Sequence, residues 1–133
     1  MPAPDDYAPP YSGYLEGCAE QRLVMARCDD CASWQLPAFF TCRACGGRDL
    51  SPATASGRGT VASFTEVHRG SNAFFAARTP YVICLVDLDE GPRLMMQGRG
   101  RVAIGAAVTV GFAADTPDGQ PAPFAAVESP DAV

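Results

Sequence analysis

The sequence predicts a mainly β chain made of a short N-terminal helix, a cysteine-rich metal-binding segment and a small five-stranded barrel. Two Cys-x2-Cys pairs fall between positions 28 and 45, and five short β-rich runs separated by Gly and Pro follow between positions 59 and 127. Helical periodicity is confined to one brief stretch near the start. These patterns divide the chain into an arm and helix at 1–21, a ribbon at 22–50, and a barrel with a C-terminal tail at 51–133.

A length of 133 residues with 47% hydrophobic and 19% charged residues describes an ordinary globular chain. The longest uncharged apolar stretch, 102–114, has 13 residues, and a bilayer span needs roughly 18 or more. The opening MPAPDDY carries acids where a signal peptide needs positive charge, so a cytoplasmic location is expected. All ten basic residues are arginines, against 15 acids, for a net charge of -5. That field repels polyanions, and the lack of lysine removes Schiff-base and P-loop chemistry. His68 is the one histidine.

Residues 1–12 hold four prolines and read as an extended arm. Ser12 then caps a short helix over GYLEGCAEQ, where Tyr14, Leu15 and Cys18 share a face by helical spacing, although Gly13 and Gly17 weaken it. Residues 23–27 form a strand that delivers the chain to Cys28. Beyond Ser51 the strand-like runs are 59–69, 81–88, 93–97, about 108–112 and 123–127. The run 81–88, YVICLVDL, is almost wholly apolar, as in a strand buried on both faces. DEGP at 89–92 is a turn and GRGR at 98–101 a bend, while IGAA at 104–107 is the remaining place for a helical turn. Five strands of this size close their open edges most simply by curling into a barrel.

Cys28, Cys31, Cys42 and Cys45 form two CxxC turns that can face each other around a tetrahedral metal. Zinc suits four thiolates best, with an iron site of rubredoxin type still open, whereas a disulfide framework or a redox dithiol fits neither the cytosolic reading nor the doubled motif. Gly46 suits a position past a ligand that needs positive φ, and the matching Ala32 predicts a less regular first knuckle. Arg27, Arg43 and Arg48 stand beside the ligands to offset the thiolate charge. Four protein ligands close the coordination sphere, so the metal holds the fold and activates no water. Cys18 and Cys84 read as small buried hydrophobes.

RLVMARC-x2-C from position 22, QLP at 35–37, C-x2-CGGRDL at 42–50, SGRGTVASFTEVHR at 56–69, PYVICLVDLDEGPRL at 80–94 and IGAAVTVGF at 104–112 together resemble the proteins catalogued as domain of unknown function 35. The likeness spans roughly residues 14 to 115, departing at Ala32 and in a short 94–104 segment. The resemblance implies a rubredoxin-like zinc ribbon followed by a five-stranded OB-fold barrel, with zinc as the cofactor. It further implies a non-catalytic accessory subunit of thiolase-superfamily enzymes or of acyl-CoA hydratases. Such a subunit assists acyl-CoA binding or turnover in thiolytic, acyltransfer or retro-aldol steps of lipid or steroid metabolism.

Within that expectation, Phe74 and Phe75 in the 70–80 loop, with Tyr11 and Tyr14 near the arm, are the candidate partner anchors. Arg69 and Arg78 flank the two phenylalanines and are the candidate contacts for CoA phosphates. A bland alternative makes one Phe a plug for the barrel mouth and leaves the arginines solvated. The competing function is a single-stranded nucleic-acid binder, a common use of OB barrels, which the charge of -5 and the acids Asp87, Asp89 and Glu90 oppose. Independent catalysis by His68, sharing a strand face with Phe64 and Glu66, is a third reading.

Overall fold

The computed structural model describes residues 11–128, in two compact units divided between Ala55 and Ser56. The 2–10 arm with Tyr7 lies outside the described residues, and so does the side chain of Tyr11. No helix among the described residues is long and apolar enough to cross a membrane.

The first unit opens with helix α1, Tyr11–Ala19, followed by strands β1, Val24–Cys28, β2, Trp34–Gln35, and β3, Leu50–Thr54. They form an antiparallel sheet in the order β2-β1-β3. The buried face of α1 differs from the one its spacing predicts. Cys18 and Gly17 are buried, Tyr14 is half-buried, and Leu15 is 50% exposed. The cause is Gly17, because a Cβ there would sit 2.5 Å from Val24 Cγ2 and 2.6 Å from the Arg22 carbonyl oxygen. The residue that weakens the helix therefore lets it lie directly on the chain entering β1. Leu23, Val24, Met25 and Ala26 complete this small core. β3 pairs with β1 although Pro52 sits inside it. The proline is tolerated on an edge strand, where one side of the backbone has no ladder to join.

The second unit is a closed barrel of five strands, β4, Arg58–Val67, β5, Tyr81–Leu88, β6, Arg93–Arg99, β7, Ala107–Ala113, and β8, Ala122–Val127. Their order is β4-β5-β6-β8-β7, antiparallel throughout except for the parallel β6–β8 pair. A register shift between Val61 and Ser63 lets the long β4 bend from β7 to β5, the service a bulge provides in a small barrel. Val61, Cys84, Val86, Leu88, Met96, Val108 and Ala125 fill the interior.

Two local expectations change. β5 alternates instead of being buried on both faces, with Cys84, Val86 and Leu88 inward and Tyr81, Ile83 and Leu85 half-buried on the outside. IGAA makes a turn rather than a helix, leaving Ile104 71% exposed, because its backbone pairs with Val61 through Gly105 and Ala106. The 70–80 loop also carries a single helical turn, α2, Ala73–Ala76.

Candidate metal centre

β1 ends on Cys28 and β3 begins at Leu50, so the sheet holds both ends of the cysteine segment while the intervening chain folds over them. The two CxxC turns repeat one backbone pattern. Ala32 N–H donates to the Cys28 carbonyl at 2.9 Å and Gly46 N–H to the Cys42 carbonyl at 2.8 Å. Cys28 N–H then donates to the Ser33 carbonyl at 2.9 Å, and Cys42 N–H to the Gly47 carbonyl at 2.7 Å. Ala32, at φ 65°, adopts the left-handed conformation that Gly46 adopts at 78°. The first knuckle is thus as regular as the second, and alanine carries the strain that glycine avoids.

These knuckles bring all four ligand sulfurs within 4.8 Å of one another. Cys28 and Cys45 are 3.6 Å apart and Cys31 and Cys42 3.5 Å. A tetrahedron with Zn–S bonds of about 2.3 Å has edges of about 3.8 Å, so the sulfurs fit a zinc ion with little movement. Cys28 and Cys42 are buried, Cys31 and Cys45 exposed.

Amide donors surround the sulfurs as thiolates require. Ala44 and Cys45 N–H groups approach Cys42 Sγ at 3.3 and 3.5 Å, and Gly47 N–H approaches Cys45 Sγ at 3.4 Å. The Ser33 hydroxyl, 3.2 Å away, followed by the Ser33 amide, holds the Cys31 thiol down to about 6. At Cys45 the Gly47 amide favours the thiolate, but the neighbouring sulfurs of Cys28 and Cys31 oppose it and the thiol is pushed up to about 12. The Cys31 thiol thus ionises readily while that of Cys45 resists until a cation joins it, which is how a metal centre couples to protons. Arg27 lies over Trp34 at 5.8 Å and Arg43 over Phe39 at 4.5 Å, so both cations stay beside the knuckles while their flat faces rest on rings.

Sequence spacing missed the supports of this centre. Ser33, Gln35 and Asp49, whose carbonyl accepts from Asp29 N–H at 2.8 Å, lie outside the two CxxC motifs. The legible signal was a lone polar Gln35 between Trp34 and Leu36.

The other candidates stand apart from the cysteines. Tyr14, on α1, hydrogen-bonds Cys18, whose thiol is raised by burial and lowered in part by that bond. Phe74 and Phe75 flank one edge-on contact at 5.2 Å, and Phe75 packs on Tyr81 at 5.4 Å. Arg78 lies over the Phe74 ring at 3.5 Å and donates to the Phe74 carbonyl at 2.9 Å, so it closes its own loop. Arg69, at the other end of the loop, is exposed and makes no ion pair among the described residues. His68 is also exposed and lies just past the end of β4 instead of on the strand, with Nε2 3.4 Å from Glu66 Oε1.

Comparison with known proteins agrees with this architecture. The family model described as the rubredoxin-like zinc ribbon domain of ChsH2 matches residues 15–51, and that of the C-terminal OB-fold domain of ChsH2 matches residues 53–113. A probable enoyl-CoA hydratase alpha subunit from Thermomonospora curvata is 35% identical over 82 residues, covering 62% of this chain and 25% of the relative. A DUF35 domain-containing scaffold protein from Methanocaldococcus jannaschii is 30% identical over 76 residues, covering 56% of this chain and 53% of the relative. The match thus spans between a quarter and about half the length of these curated relatives. A solved Ltp2-ChsH2(DUF35) aldolase includes a chain of 28% identity and TM-score 0.77, with 96% of this chain and 98% of that one covered. The four-cysteine cluster is a zinc-ribbon site.

Proposed function

The chain belongs to the domain of unknown function 35 family of zinc-ribbon and OB-fold proteins, and from that premise we propose that it is a non-catalytic accessory subunit of an acyl-CoA enzyme. The enzyme class is the thiolase superfamily, including retro-aldol members, or the acyl-CoA hydratases. What carries the reading is the end-to-end likeness to a chain of a solved aldolase complex, over 96% of this chain. The name of the Thermomonospora curvata relative supports an acyl-CoA setting, and that of the Methanocaldococcus jannaschii relative supports a scaffold role.

The chemistry of the residues is consistent with such a role. Zinc, held by Cys28, Cys31, Cys42 and Cys45, supplies a cross-link between two knuckles, and four sulfur ligands leave no position for substrate. His68 faces solvent beside Glu66 rather than a nucleophile. The partner surface includes the α2 loop, where Phe74 is a half-buried ring presented with Arg78 stacked on it. Arg69 is the more available cation for a CoA phosphate, because Arg78 is already engaged by its loop. Tyr11 and Tyr14 are assigned to a second anchor near α1.

Reconstitution tests this function. The purified chain, mixed with a thiolase-superfamily or hydratase enzyme from the same cell, should co-elute with it on size exclusion and change its acyl-CoA turnover, while showing no turnover alone. Separate elution with unchanged turnover for every such enzyme would overturn the proposal. Turnover by the isolated chain would overturn its non-catalytic part.

A further inference from the structure

β2 contributes a polar side chain to the interior of the ribbon, where nothing in a strand of two residues requires one. Gln35 is 6% exposed, and its backbone is paired with Ala26 of β1, on the hairpin that ends in the first knuckle. Its side chain reaches the second knuckle instead. Oε1 accepts from the Arg43 N–H at 2.9 Å, directly after the ligand Cys42. The next two amides, of Ala44 and Cys45, are the ones aimed at Cys42 Sγ.

The other end of this amide is buried with no protein partner, at Nε2. A buried donor left unpaired is costly, and most native structures avoid it. Turning the amide over would not relieve the cost, because Nε2 would then meet the Arg43 N–H donor to donor. The orientation is fixed by one acceptor bond, and the orphaned donor is the consequence of keeping it.

We infer that Gln35 is a positioning residue for the zinc ion. It ties the turn that carries Cys42 and Cys45 to the hairpin that carries Cys28 and Cys31, so the four sulfurs are gathered before the metal cross-links them. The covalent path between the ligand pairs, 32–41, has no strand beyond Gln35, and a side-chain tether replaces the missing ladder. The inference rests on the zinc assignment, which elemental analysis of the unaltered chain checks separately.

The test uses the full chain with Gln35→Met, which keeps length and volume but lacks the acceptor, and Gln35→Glu, which keeps an oxygen in that place. Competition with a chromophoric chelator should show zinc affinity reduced roughly 10- to 100-fold in Gln35→Met, the range typical of residues that orient metal ligands. Hydrogen exchange at the Arg43 amide, followed by NMR in the zinc-loaded protein, should quicken in the same variant. Gln35→Glu should retain Arg43 protection and most of the affinity. Wild-type affinity in Gln35→Met would overturn the inference, as would equal loss in both variants. If Gln35→Met fails to fold, a zinc-loaded Gln35→Glu with a protected Arg43 amide supports it, and failure of both overturns it.

Discussion

Ala32 shows how a single backbone angle records the demand of a metal turn. At φ 65° it occupies the position that the second knuckle gives to Gly46, and an L side chain in that conformation costs about 1 kcal/mol. Ala32→Gly should stabilise the zinc-loaded ribbon by about 1 kcal/mol, less the entropy glycine adds to the unfolded chain, and so raise its denaturant midpoint. An unchanged midpoint in a chemical denaturation series would show that the two effects cancel. A second residue-scale case is Asp87, which Arg93 grips at 2.7 and 3.1 Å, and whose carboxyl is held below the usual range by that hydrogen bond and charge. A depressed carboxylate contributes stability above its unfolded pKa of about 3.9 and loses it as pH falls through the lower folded value. Both groups are exposed, so the contribution is small. Arg93→Ala should move the Asp87 titration midpoint, followed by carboxyl NMR shifts, upward toward its ordinary value.

At the scale of one element, α2 explains how a loop read as a bare carrier of aromatics acquires order. Asn72 Oδ1 accepts from Phe75 N–H at 3.0 Å and caps the turn, and Phe75 then rests on Tyr81 of β5. The sequence placed Phe74 and Phe75 together, but their difference is tertiary, since one ring packs on the barrel wall and the other lies under Arg78. Asn72→Ala should cost about 1 kcal/mol locally, seen as faster exchange of the Phe75 amide with the barrel amides unchanged. Phe74→Ala spares the Phe75–Tyr81 stack, so it should weaken association with the partner enzyme, measured by titration calorimetry, with little change in melting temperature. A drop in melting temperature with normal association would assign Phe74 to the barrel and not to the interface. α1 teaches the same lesson in reverse: helical spacing grouped Leu15 with Tyr14 and Cys18, while the close approach of Gly17 to Val24 turned Leu15 outward.

For the whole molecule, the two units draw their stability from different sources. The barrel owns Val61, Val86, Leu88, Met96 and Val108, whereas the ribbon has a small core and a metal site whose ion can supply on the order of 10 kcal/mol. Chelation, or Cys42→Ser, should therefore strip hydrogen-exchange protection from residues up to Ala55 while the barrel from Ser56 onward keeps its own. Simultaneous loss in both would reveal one cooperative unit. The four-cysteine cluster and the five barrel strands were legible in the sequence because they rest on local chemistry: thiols at two-residue gaps, and β-branched and aromatic runs punctuated by Gly and Pro. Pairings between distant segments have no such local signature. β1 takes Leu50–Thr54 as a partner although a proline interrupts it, Gln35 reaches across to Arg43, and β5 turns half of an apolar run outward. Residue type and spacing decided which thiols can gather around a metal and which runs are strands. Only the tertiary structure decided what each face meets, because burial and hydrogen-bond partners depend on chain segments that come together after those local choices are made.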